Sequence, residues 1–189
     1  MASTLKVQNI AHTGGTNALA IDSAGIVDLP VNNNVTQFQL TSSASINSTT
    51  PATLTGWTNM NSQSTFGYKQ VGTAMSESSG VFTTTKLGLY RCYMELHMSA
   101  ANDVRYIQFD LKFTPNGGSA IGGDIYNFIS YAQSDSTYAC FNRMRYYNFN
   151  HTGDQFRVNV ASSAAISLRG ASNDFDSTLC FEWLAPPVA

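Results

Sequence analysis

Residues 87–98 constrain the fold more than any other stretch. Tyr90, Cys92, Met94, Leu96 and Met98 fall on one side of an extended chain, and Leu89, Arg91, Tyr93, Glu95 and His97 on the other. Successive side chains of a strand point to opposite faces, so this is a long strand with one apolar face. Such a strand needs partners on both edges and a second layer over its apolar side. Residues 104–113 repeat the pattern, with Ile107, Phe109, Leu111 and Phe113 opposed to Gln108, Asp110 and Lys112. Thr114-Pro115-Asn116-Gly117-Gly118 then turns the chain. Residues 81–85, 125–131, 138–149, 155–160 and 177–184 read as further strands separated by turn signals, and no longer span carries a helical period. The expected class is all-β, a sandwich from residue 66 to residue 189.

Residues 1–30 read as a separate small unit. Leu5, Val7, Ile10, Leu19 and Ile21 alternate with polar residues around Thr13-Gly14-Gly15-Thr16, and a third short run ends at Pro30. A hairpin of this size is marginal in water by itself, so these apolar residues are expected to anchor the chain to copies of itself or to another surface. Residues 31–65 are rich in Ser, Thr and Asn and read as a linker, with one strand at 35–40 and with Phe38, Leu40 and Ile46 suggesting partial packing.

Only 12% of the 189 residues are charged and the formal net charge is −2. That gives no field to gather phosphates, so nucleic acid is not an expected partner. Apolar runs are short and interrupted, which excludes insertion of a membrane helix. The opening Met1-Ala2-Ser3-Thr4-Leu5-Lys6 lacks the basic and apolar segments of a secretion signal.

Cys92, Cys140 and Cys180 are odd in number and lie within apolar or aromatic runs, so buried free thiols are expected. His12, His97 and His151 stand in no metal-ligand spacing to the cysteines or to one another, and no metal or other cofactor is expected. Asp124, Asp174 and Asp176 lack the spacing of a calcium loop, and Asp154 reads as a turn residue capping local backbone. No nucleophile is paired with a base and no carboxylates are paired in a recognisable frame, so no catalytic residue is assigned and an enzyme is not expected.

The run from Tyr138 to Phe149 is the unusual constellation. Tyr138, Arg143, Arg145, Tyr146 and Tyr147 concentrate rings and guanidinium groups, and alternation puts Phe141, Arg143, Arg145, Tyr147 and Phe149 on one face, opposed to Met144 and Tyr146. Rings and planar guanidinium forks give large contact area with few torsions to freeze, so this run is expected to meet either a surface glycan or a neighbouring subunit.

Ser79-Gly80-Val81-Phe82-Thr83 followed by Leu87-Gly88-Leu89-Tyr90 resembles the opening motif of C1q-like globular domains. Leu111-Lys112-Phe113-Thr114-Pro115-Asn116-Gly117, Gly153-Asp154-Gln155-Phe156-Arg157-Val158 and the closing Phe175-Asp176-Ser177-Thr178-Leu179-Cys180-Phe181 resemble later motifs of that family in the right order. The resemblance implies a C1q/TNF-like jelly roll and a homotrimer. It lacks the family's collagen-like stalk. The N-terminal segment is similar to the opening of marine tailed-phage fibre and virion-surface proteins. Together these imply a non-enzymatic, trimeric structural protein at a virion surface, a head or tail fibre or a capsid decoration protein. Its expected partners are capsid or tail proteins and a host-surface glycan. The alternatives are a secreted C1q-like lectin or signalling ligand and, behind that, a glycan depolymerase.

Overall fold

The computed structural model describes residues 9–11, 17–21, 27–28, 34–60, 75–100, 102–115, 126–132, 139–171 and 177–187, with the backbone alone for the first three stretches and for 126–132. The chain divides into two compact units, Met1–Asn32 and Asn33–Ala189. In the first, three short strands, β1 (Asn9–Ala11), β2 (Asn17–Ile21) and β3 (Val27–Asp28), form an antiparallel sheet. Ile10 stands opposite Leu19, and Ile21 opposite Val27. Leu5 and Val7 lie outside the described residues.

The second unit is two packed sheets. Its strands are β4 (Val35–Leu40), β5 (Ser42–Ile46), β6 (Ala52–Thr53), β7 (Trp57–Asn59), β8 (Met75–Ser78), β9 (Val81–Thr84), β10 (Gly88–Ala100), β11 (Val104–Thr114), β12 (Tyr126–Ala132), β13 (Ala139–Phe149), β14 (Gln155–Ser162), β15 (Ile166–Ala171) and β16 (Thr178–Ala185). One sheet runs β5-β15-β10-β16-β4-β7 with β13 on the other edge of β10, and the second runs β12-β11-β14-β9-β8 with β6 beside β14. Every pairing is antiparallel.

The alternation read from the sequence decides what meets inside. Tyr90, Cys92, Met94, Leu96 and Met98 of β10 are buried, and they face Ile107, Phe109 and Leu111 of β11 and Phe156, Val158 and Val160 of β14 in one core. At its centre Phe82 from one sheet packs on Phe38 and Phe181 of the other, with ring centroids 5.0 and 5.4 Å away. Edge-to-face and tilted pairs of this kind stabilise beyond the area they bury.

The family-like motifs have local physical reasons. Ser79 and Gly80 both take positive φ, 51° and 80°, as a tight β8–β9 hairpin requires, and a Cβ on Gly80 would come within 2.5 Å of the Leu54 carbonyl. Gly88, at φ 151°, leaves room for the Trp183 indole, whose Nε1 donates to the Leu87 carbonyl at 3.0 Å. Tyr90 carries its phenol through the core to donate to the Lys86 carbonyl at 2.6 Å. Asp154 is a local cap as expected: its Oδ2 accepts from the backbone N–H groups of Asn150 at 2.7 Å and His151 at 3.0 Å.

In the stretch read as a linker with one strand, the strand at 35–40 is present as β4, but three more strands follow it where linker was expected. β4 lies between β16 and β7, β5 pairs with β15, and β6 pairs with β14, so residues 35–59 contribute to both sheets. Ser and Thr suited the exposed faces of edge strands, a choice that composition alone cannot separate from a loop. The strand β15 also lay outside the expected set. Its Gly170 permits close approach of β5, since a Cβ would sit 2.5 Å from the Ser42 carbonyl.

Candidate functional site

The outward face of the β13-β10-β16 layer carries the exposed chemistry. Register sets it in rows across the strands. Tyr146 lies opposite Arg91, which lies opposite Glu182. Met144 lies opposite Tyr93, and Tyr93 opposite Cys180; Asn142 lies opposite Glu95, and Cys140 opposite His97. Tyr93, Met144, Tyr146 and, on β16, Leu184 are the large apolar residues left exposed among the described residues, at 39%, 44%, 55% and 40% of their full surface. Beside them Arg91 pairs with Glu182.

The Arg/Tyr run therefore splits between two faces. Tyr146 points outward with Met144. Tyr147 belongs to the core, where its ring stacks on Phe113 at 5.7 Å and meets Phe156 edge-on at 5.1 Å, so it does not present a contact surface. Arg143 and Arg145 share the side of Tyr147, as alternation required. Arg143 is exposed with its guanidinium 4.9 Å above the Phe141 ring, and half-buried Arg145 donates from Nη1 to the Met144 carbonyl at 3.3 Å. Tyr138, Asp124, Asp174, Asp176 and His12 lie outside the described residues.

Two expectations need correction. All three cysteines are free, but only Cys92 is fully buried; Cys180 is half-buried and Cys140 is exposed. Burial pushes the Cys92 thiol well up, and burial followed by the Glu182 carboxylate raises Cys180 to about 11. His97, which the sequence could pair with nothing, has its Nε2 3.0 Å from Glu95 Oε1 and 3.8 Å from Cys140 Sγ. The Cys140 thiol reaches Glu95 Oε1 at 3.6 Å, and the Tyr93 hydroxyl donates to the other carboxylate oxygen at 3.2 Å. The hydrogen bond from His97, and after it that from Tyr93, holds the Glu95 carboxyl below its ordinary value against the opposing effect of burial. Burial and the adjacent carboxylate raise Cys140. What the sequence concealed was the pairing of His97 with a residue 43 positions away.

No protein-family model matches the sequence, and no characterised protein sequence matches it significantly. Solved structures do match by shape. Murine APRIL at pH 5.0 superposes with a TM-score of 0.57 at 14% identity, covering 80% of this chain and 99% of that one. The Eiger TNF from S. frugiperda superposes with a TM-score of 0.52 at 13% identity, covering 83% of this chain and 96% of that one. The fold is thus a TNF-like jelly roll. Among the described residues no helix is long and apolar enough to cross a membrane.

Proposed function

We propose that this chain is a non-enzymatic structural protein of a virion surface. In this reading three copies assemble through the outward face of β13, β10 and β16 and display the jelly roll, and residues 1–30 hold the assembly to capsid or tail proteins. The observation that carries it is the gathering of Tyr93, Met144, Tyr146 and Leu184 on one face of three neighbouring strands. Large apolar side chains left exposed on one sheet face mark an association surface, and in a threefold assembly each copy's face would be covered by its neighbours about the axis. The Arg91–Glu182 pair next to it gives polar register to such a contact. The TNF-like fold and the separate three-stranded N-terminal unit support the division of labour. Tyr146 is then the member of the Arg/Tyr run that reaches the neighbour, and Arg143 is left to meet a host-surface glycan.

Sedimentation of the full chain at micromolar concentration should give a trimer, with more than about 1,000 Å² covered per subunit pair. Tyr146→Glu should give a folded monomer. A monomeric wild-type chain defeats the trimer. Immunogold microscopy of particles, with the full chain and with residues 1–30 deleted, tests the location: label on the particle that is lost with the deletion supports the anchor, and unlabelled particles refute the virion role in favour of a secreted ligand.

A further inference from the structure

We infer that Glu95, His97 and Cys140 form a binding site for a single zinc ion. Among the described residues this is the one grouping of three His, Cys, Asp or Glu side chains able to hold a metal. It follows from the sheet itself. Glu95 and His97 are two residues apart on β10 and so share a face, and Cys140 of β13 stands directly opposite His97. Strands paired without interruption over this stretch fix three ligand atoms with no loop involved, the placement that gives a preformed site its precision.

The distances fit the ion. Zinc bound tetrahedrally at about 2.3 Å from sulfur and about 2.0 Å from nitrogen and oxygen needs ligand-to-ligand separations of roughly 3.5 Å for S···N, 3.5 Å for S···O and 3.3 Å for N···O. The cluster offers 3.8, 3.6 and 3.0 Å. Each edge lies within about 0.3 Å of its requirement, so small side-chain rotations complete the cage. One imidazole nitrogen, one thiolate and one carboxylate also match a borderline-soft ion better than calcium or magnesium, which take oxygen ligands. On binding, the Cys140 thiol gives its proton to solvent and the Zn–S bond forms, while the His97 Nε2 proton is also released to solvent, the neutral ring keeping its one proton on Nδ1, so that Nε2 is free to ligate; thiolate and carboxylate then balance the ion's two positive charges. Tyr93 is a positioning residue, because its hydroxyl holds the second Glu95 oxygen and turns the first toward His97 and Cys140. In the single chain Cys140 is exposed and the other two are half-buried, so the fourth coordination position is open to water there, and in the proposed assembly, which uses this same face, it falls to water or to a group of the neighbouring copy.

The test uses the full, tag-free, chelator-treated chain titrated with Co²⁺ and then Zn²⁺. One equivalent of Co²⁺ should produce a thiolate-to-cobalt charge-transfer absorption that one equivalent of Zn²⁺ abolishes. Cys140→Ser and His97→Gln should both remove it, and Cys180→Ser should leave it intact. Tyr93→Phe should retain the band with affinity lowered about tenfold, the usual cost of losing an outer-shell partner. Thermal melting without metal, equal to wild type, shows that each variant is folded. Absence of the band in the wild-type chain, or its persistence in Cys140→Ser, overturns the site. Neither result bears on whether the chain is trimeric, which sedimentation decides separately.

Discussion

Replacing Phe82 by alanine probes whether the two sheets share one packed core. The Phe82 side chain is fully buried, and its ring lies between Phe38 and Trp57 on one side of the sandwich, Phe181 beside them, and Phe156 on its own sheet, at 5.0, 6.0, 5.4 and 6.1 Å. Phe→Ala in a core costs roughly 3–5 kcal/mol, with the larger values where the walls cannot collapse into the cavity. Here the walls are aromatic rings fixed on paired strands of both sheets, so the expected loss is about 4 kcal/mol. For a chain of this size that corresponds to a fall in Tm of about 8–16 °C. Phe82→Leu, which keeps most of the volume, should lose less than half as much. Thermal and urea unfolding followed by circular dichroism measure this, with both proteins at one protomer concentration because assembly adds to apparent stability. A loss below about 1 kcal/mol at unchanged urea dependence would refute the packing, since that is the scale of an ordinary surface substitution.

Asp154→Ala removes a buried carboxylate that accepts from two backbone N–H groups of a turn whose other residues are largely exposed, and should cost about 1.5–3 kcal/mol by urea unfolding, whereas an exposed, unengaged turn residue would cost almost nothing. Gly88→Ala places a methyl group against the Trp183 indole and the Ala185 carbonyl at a φ that L-residues rarely adopt, and the fluorescence of Trp183 should shift as its packing is lost. Cys180 titrates near 11 in the fold against 9.0 unperturbed. The unfolded chain therefore loses this proton first, and stability should fall as pH rises from about 9 to about 11, by at most about 2 kcal/mol. Cys180→Ser removes that part of the alkaline loss; an unchanged slope in urea unfolding at pH 8 and 10.5 contradicts the assignment.

The sequence by itself determined the class of fold and the inner lining of the sandwich. Period-two alternation in residues 87–98 and 104–113 is a local property, so the buried and exposed faces of β10 and the apolar face of β11 could be read without knowing any partner. The same holds for the cap at Asp154, which depends on neighbours a few residues away. Tertiary structure decided what depends on register between distant segments. The strand at 35–40 was legible, but β5 and β6 became strands because residues 42–53 found edges of both sheets, an outcome their Ser/Thr composition did not encode. Alternation assigned Tyr146 and Tyr147 to opposite faces correctly, but only the second sheet showed that Tyr147 faces the core while Tyr146 faces outward. The Glu95–His97–Cys140 cluster is the clearest case. Its members look unrelated along the chain, and one antiparallel register, His97 against Cys140, brings them together; a slip of a single residue would have turned the cysteine to the other face.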